Sequence, residues 1–351
     1  MSGGTLPGYG VVRRDDGEVV VAGRDAKGRV WDLSGLGGPF GSGSLTAVLE
    51  DGAAGRMRDV IEGGDTGGEE LESSSLTSLR PIDPGDYVDF YACEHHAANL
   101  GRLFRPGVEP LLPNWRHLPV GYHGRTSTIV VGGSEIPRPN GLRPPRPDDG
   151  PGASPSFGPT RRLDVEVELG FVVGAGNGRG HPVSTAEAWE RIFGVVLVND
   201  WSARDIQAFE YQPLGPHLGK SFATSISEWV VPLDLLPRTP IAGTGVELAS
   251  YLVDDALGGF DLPLELEIDG EVVSRTNACH LSWSPAQMLA HMTVNGASTR
   301  AGDLFASGTI SGPDAGTFGS LIELALPFLV DGQTATITSD LVGSVTGTVV
   351  G

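Results

Sequence analysis

Between Leu163 and Gly170 the chain reads LDVEVELG, a strict alternation of acidic and aliphatic side chains. Side chains on a β-strand alternate between faces, so Asp164, Glu166 and Glu168 share one side and Val165, Val167 and Leu169 the other. Successive carboxylates on that side stand about 6.6 Å apart and repel unless water or a cation screens them. The segment is therefore either a half-wet strand or one arm of a metal cage. Either reading needs a β-framework, and composition agrees: 52 Gly and 26 Pro among 351 residues, with 7% aromatics, favour turns and short strands over long helices.

A chain of this length predicts two units. Residues 10–33 carry β-prone runs split by Asp-Gly and Lys-Gly turns, a hairpin-rich pattern. Residues 62–79, acidic and Gly/Ser-rich, read as an exposed linker, which puts a small β domain at 1–80 and a larger one at 81–351. Eight prolines between Pro137 and Pro159 predict a long surface loop. Ser184 and Glu187 form a capping-box pattern that opens a helix running through Phe193 to a stop at Gly194, and VVLVND reads as a buried strand. Ser284, Pro285 and Gln287 open a second helix, through about Met292. No internal repeat is evident.

A net charge of -20 argues against a nucleic-acid surface, which needs concentrated Lys and Arg. Any anionic substrate must then meet locally placed cations. Two cysteines, Cys93 and Cys279, outside any C-x-x-C pair, fit a reducing compartment. There is no apolar run of membrane-spanning length, and the first residues lack a signal-peptide core, so the expected setting is cytoplasmic.

Several segments carry residue types suited to chemistry. DFYACEHHAANLGRLFR, 89–105, favours a helix on which Asp89 and His96, seven residues apart, face one side. VNDWSARDIQAFEYQPLGPHLGKSF, 198–222, packs Asp200, Arg204, Gln207, Tyr211 and Lys220 behind an apolar strand, where clefts form. Tyr122 and Arg125 lie beside glycines in LLPNWRHLPVGYHGR, and GDLFASGTISGP offers Thr309. Together DFYxxxxHAxN, LLPNWxHLPVGYHGR, the E-x-E of LDVEVELGFVVG, NDWSARDIQxxEYxPLGPxLGKSF and GDLFASGTISGP resemble the fumarylacetoacetase family over most of residues 81–330.

The resemblance implies a β-rich α+β fold: a small SH3-like N-terminal barrel, then a large mixed β-sandwich or β-roll catalytic domain, working as a homodimer. It implies hydrolysis of the carbon-carbon bond of 4-fumarylacetoacetate to fumarate and acetoacetate, the last step of tyrosine and phenylalanine degradation. Asp89, Glu166, Glu168 and Asp200, with Lys220 and Thr224, match the positions that hold Mg²⁺ or Ca²⁺, and hard oxygen donors suit both ions. His96 matches the general base, with Glu323 orienting it, His95 being the spare. Arg204, Gln207 and Lys220 match residues that stabilise the developing anion, and Tyr91, Arg105, Tyr122, Gln207, Tyr211 and Thr309 match substrate contacts. The stretch before DYVDFY is short against the family pattern, which suggests a trimmed N-terminal unit.

Two other readings compete. The wider superfamily includes acylpyruvate hydrolases, decarboxylases and isomerases that share the acidic triad, although the WRHLPVGYHGR and NDWSARDIQ strings favour fumarylacetoacetase. A non-catalytic metal-binding protein has no need of His96, Glu323 and Lys220 together.

Overall fold

The computed structural model describes residues 5–63, 68–256 and 258–351. The N-terminal hairpins form as expected: Gly8–Arg13, Val19–Arg24 and Val30–Asp32 run antiparallel, with Gly17 and Gly28 supplying the left-handed turn positions. The linker expected over 62–79 is a correction. Residues 64–67 lie outside the described residues, but Glu70–Leu71 and Thr77–Leu79 are the two edge strands of this five-stranded sheet. An edge strand bonds on one side only and faces water on the other, so its polar composition, misread as a linker, suits it.

This sheet does not stand apart. Tyr9 and Val230 exchange backbone hydrogen bonds of 2.9 and 2.8 Å, and Val11, Val21, Leu45 and Val48 join one apolar cluster with Val172, Val196, Val198 and Leu304 of the next sheet.

That next sheet orders its strands Gly121–His123, Tyr87–Phe90, Leu304–Ala306, Val167–Val173, Ile192–Asp200, Thr224–Ile226 and Ile129–Val131, with Val231–Pro232 paired onto Ile192–Asp200. It is covered on both faces, so its central strands are almost entirely buried, which is why residues 195–198 are an unbroken apolar run. Along Val167–Val173 the odd residues enter the largest core cluster while Val172 enters the cluster shared with the N-terminal sheet. Glu168 is therefore on the second face, as are Asp200 on its neighbour and Asp89 two strands away. The half-wet strand of the sequence reading is corrected in two ways. Asp164, Glu166 and Glu168 are all buried, and the run is broken: Leu163–Asp164 pairs with Ser202–Ala203 before Val167–Val173 joins the main sheet.

The helix expected over 89–105 is also shorter. Tyr87–Phe90 is a strand bonded on both sides, and the helix is Glu94–Phe104. Asp89 and His96 line one cavity because the chain turns between them, not through helical spacing. The Ser184 helix ends at Arg191, because Ile192 and Gly194 already pair with Val173 and Val172 in the sheet. The proline-rich stretch is more ordered than a loop: Asn140–Arg143 and Ser156–Pro159 form an antiparallel ribbon with most of the prolines outside the paired segments.

A five-stranded sheet of Glu271–Asn277, Pro263–Ile268, Thr334–Ser339, Gly343–Val350 and Ser134–Pro137 packs Leu264, Leu266, Ile337, Val345 and Val349 into the main core. The helix Pro285–Thr293 begins as expected. Ser284 Oγ accepts from the Gln287 amide at 3.1 Å, Gln287 Oε1 accepts from the Ser284 amide at 2.9 Å, and Ser284 Oγ donates to Asp254 Oδ2 at 2.6 Å. Ser284→Ala removes the cap and strands a buried carboxylate oxygen, so urea denaturation is expected to show a loss of about 2 kcal/mol. A change below about 0.5 kcal/mol, the scatter of neutral surface substitutions, would mean that the cap is redundant with packing.

Candidate active site

The three strands that carry Asp89, Glu168 and Asp200 deliver their carboxylates to one point. The intervening strand ends at Ala306, opposite Asp89, and the chain beyond it reaches the cavity wall at Gly308, which has no side chain to fill the space. One oxygen from each of the three lies within 4.8 Å of the others. Asp89 Oδ1, Glu168 Oε2 and Asp200 Oδ1 are buried without a hydrogen-bond partner. Buried carboxylate oxygens are rarely left so, and an all-oxygen cluster of this kind fits a hard dication. Burial first, then Asp200, pushes the Asp89 carboxyl well above the usual range, and burial followed by Asp89 does the same to Glu168.

Tyr122, paired across the sheet with Asp89, donates its hydroxyl toward Asp89 Oδ2 (2.9 Å) and Asp200 Oδ2 (3.0 Å). Lys220 Nζ bridges Asp200 and Glu166. Burial disfavours its charge, but Asp200 and Glu166 outweigh that and raise its pKa. Thr224 sits opposite Asp200 on the neighbouring strand and is not part of the cavity wall.

Glu166 behaves differently from Glu168. Its oxygens accept from Arg204 Nη2 at 2.8 Å, Ser202 Oγ at 3.1 Å and Lys220. Burial alone would raise it, yet Arg204, then Lys220 and His96, hold it well below the carboxylate range. Arg204 also donates Nε to Asp164 Oδ2 at 2.7 Å and Nη1 to Gln207 Oε1 at 3.3 Å.

His96 lies on the inner face of Glu94–Phe104, its ring edge-on to Tyr91 at 5.2 Å. Nδ1 is 2.7 Å from Glu323 Oε2, and Nε2 is 3.6 Å from Glu166 Oε1. Glu323 also accepts from Asn99 (2.9 Å), Ser311 (3.0 Å) and Ser320 (2.6 Å). Against burial, the charge and hydrogen bond of His96, helped by Ser320 and Asn99, bring its carboxyl down to about 2. An ionised Glu323 accepts a hydrogen bond from Nδ1–H, so in the neutral imidazole Nε2 carries the lone pair. His95 points elsewhere, edge-on to His280 at 5.9 Å.

Asp89, His96, Glu166, Glu168, Arg204 and Lys220 line a cavity of about 310 Å³, together with Tyr91, Arg105, Gln207, Tyr211 and Thr309, while Asp200 and Glu323 lie behind its wall. Arg105 donates Nη2 to the Pro110 carbonyl (2.8 Å) and leaves Nε unpaired, and Thr309 Oγ1 is likewise buried without a partner. Gly101 permits the close approach, since a Cβ there would stand 2.0 Å from the Pro110 oxygen.

The family model described as "Fumarylacetoacetate (FAA) hydrolase C-terminal" matches residues 87–350. The chain belongs to the fumarylacetoacetate hydrolase family. Among curated relatives it is 48% identical over 262 residues to the fumarylacetoacetase of Bos taurus, covering 72% of this chain and 61% of that protein. It is 47% identical over 263 residues to that of Homo sapiens, covering 73% and 62%. The chain thus spans about three fifths of the length of these relatives. The fold of the family extends over the whole chain. A fumarylacetoacetate hydrolase from psychrophilic Exiguobacterium antarcticum superposes with a TM-score of 0.67 at 18% identity, covering 98% of this chain and 99% of that one. A 5-carboxymethyl-2-hydroxymuconate delta-isomerase from Mycobacterium smegmatis gives 0.59 at 19% identity, covering 98% of each.

Within this family framework, sequence reasoning missed Asn99, Asp164, Ser311 and Ser320. Asn99 lies three residues after His96 on one helix face, a spacing that signals a shared partner. Asp164 stood in the acidic run but received no role. Ser311 and Ser320 carried no local signal, because they reach Glu323 only through the fold.

Proposed function

We propose that this chain hydrolyses the carbon-carbon bond of 4-fumarylacetoacetate, giving fumarate and acetoacetate. The observation that carries the reading is that His96, backed by Glu323, and the carboxylates of Asp89 and Glu168, which cluster with Asp200, line one cavity. Asp89, Glu168 and Asp200 would hold Mg²⁺ or Ca²⁺, and the bound ion would supply a Lewis acid for the diketone. His96 Nε2 takes the proton of the attacking water while Glu323 keeps Nδ1 protonated and balances the imidazolium. The same proton then passes to the departing acetoacetate carbon. Arg204, Gln207 and Lys220 are donors fixed before reaction, placed to meet the developing oxyanion or enolate. Arg105 Nε, with Tyr91, Tyr211 and Thr309, offers donors to a terminal carboxylate or carbonyl.

We further read residues 1–80 as a small SH3-like unit and 81–351 as the catalytic β-roll, with the protein a homodimer as in the family pattern. Two free cysteines favour a cytoplasmic setting, and among the described residues no helix is long and apolar enough to cross a membrane.

The decisive test follows the diketone absorbance of fumarylacetoacetate before and after chelation, then with Mg²⁺ or Ca²⁺ restored. Metal-dependent release of fumarate and acetoacetate is the expected result. No turnover under any metal, with activity on acylpyruvates or other 1,3-diketones, would move the assignment to another branch of the family.

A further inference from the structure

Asp164 is fully buried, does not line the cavity, and yet touches both halves of the catalytic arrangement. Its Oδ2 accepts from Arg204 Nε at 2.7 Å and from the Ile322 amide at 3.3 Å. Its Oδ1 accepts from the Leu321 amide at 2.8 Å and from the Val165 amide at 2.9 Å. Leu321–Leu324 is the single helical turn that carries Glu323. Such a turn leaves its first amides unbonded. Ser320, at its N-cap, makes no side-chain cap bond, because its hydroxyl is donated to Glu323 at 2.6 Å. Asp164 bonds the open amides from across the fold.

A closed ring of contacts results. Asp164 holds Arg204, Arg204 holds Glu166 Oε1 at 2.8 Å, that oxygen lies 3.6 Å from His96 Nε2, and His96 Nδ1 is 2.7 Å from Glu323. The turn bearing Glu323 returns to Asp164 through the Leu321 amide. We propose that Asp164 is a positioning residue that locks the His96–Glu323 pair and the Arg204 donor into one geometry, so that neither shifts without the other.

Asparagine is the informative replacement. Asp164 faces four N–H donors and donates to none, so an amide of the same shape must turn its NH₂ toward at least one donor and break that side of the ring. The kinetic part of the test rests on the proposed hydrolase reading. There, Asp164→Asn is expected to lower kcat about 100-fold, the scale of an ångström-sized misplacement, with KM within about threefold. In a Glu323→Gln background the added loss should fall well below that seen alone, because one of the two groups Asp164 positions is already gone and only its hold on Arg204 remains. An unchanged kcat, or a full additive loss in the double variant, would overturn the proposal.

Two readouts need no substrate and separate this proposal from the assignment of the reaction. The downfield proton resonance of His96 Nδ1–H should be present in the wild-type protein and broadened or lost in Asp164→Asn; its persistence would count against Asp164. Should that variant fail to fold, hydrogen exchange of the wild-type protein decides: the Leu321 and Ile322 amides should exchange as slowly as those of the central strands. Exchange as fast as a frayed turn would overturn the proposal.

Discussion

His96→Ala is expected to lower kcat by about three orders of magnitude, the middle of the range for loss of a positioned general base, while Mg²⁺ or Ca²⁺ affinity stays within about twofold. The separation follows from geometry. His96 is held by Glu323 and faces Glu166, and it is not among the carboxylates that converge at the candidate cation site. Its removal takes away the proton acceptor and leaves the cluster intact. Glu323→Gln should give a smaller but substantial loss, because an amide neither fixes the Nδ1–H tautomer nor balances the imidazolium. Since Glu323 is held at about 2, it stays ionised over the whole range in which an imidazole titrates, so an acid limb in the rate profile does not report its protonation. Calorimetric titration of the ion beside steady-state kinetics checks the prediction. A His96→Ala protein that retains wild-type turnover would remove His96 as the base.

Glu168→Gln separates the roles of two glutamates that the sequence presents as equivalent. It is expected to weaken cation affinity by more than about 100-fold, beyond the usual cost of losing an outer partner of a ligand, and to abolish turnover at ordinary ion concentrations. Without the ion, the same variant should melt at a higher temperature than the wild-type protein. Asp89, Glu168 and Asp200 are buried with unpaired oxygens, and neutralising one relieves repulsion that Lys220 offsets only in part. Glu166→Gln should behave in the opposite way: its oxygens already serve Arg204 and Lys220, so it loses turnover and leaves two buried cations less well balanced, with a smaller effect on ion affinity. Thermal melts with and without chelator, alongside ion titrations, distinguish the two. An unchanged titration in Glu168→Gln would reduce the cluster to a polar feature of the interior.

Local signals read well where local physics decides. The N-terminal hairpins, the capping boxes at Ser184 and Ser284 and the Ile192–Asp200 strand each depend on residues within a few positions of one another. Errors arose where distant chain decides. For the acidic run 164–168 the residues by themselves leave a half-wet strand and a metal cage both open, because alternation reports which residues share a side, not what covers that side. Asp89 was placed on a helix because its partners across the sheet, Ala306 and Tyr122, are 217 and 33 residues away. The polar segment at 62–79 resembled a linker because a short edge strand and a linker share composition.

By itself the sequence determined the family, through long ordered strings of residues, and with it the set of side chains on which the proposed chemistry draws. Tertiary structure alone decided how that set is divided: Glu168 joins Asp89 and Asp200, whereas Glu166, two residues earlier, is drawn to Arg204, Lys220 and His96. It also brought Glu323 to His96 across 227 residues and Asp164 to both Arg204 and the Leu321 amide. The physical reason is that desolvation and charge pairing depend on what converges in space, and no local pattern of residues encodes which distant strand ends will meet.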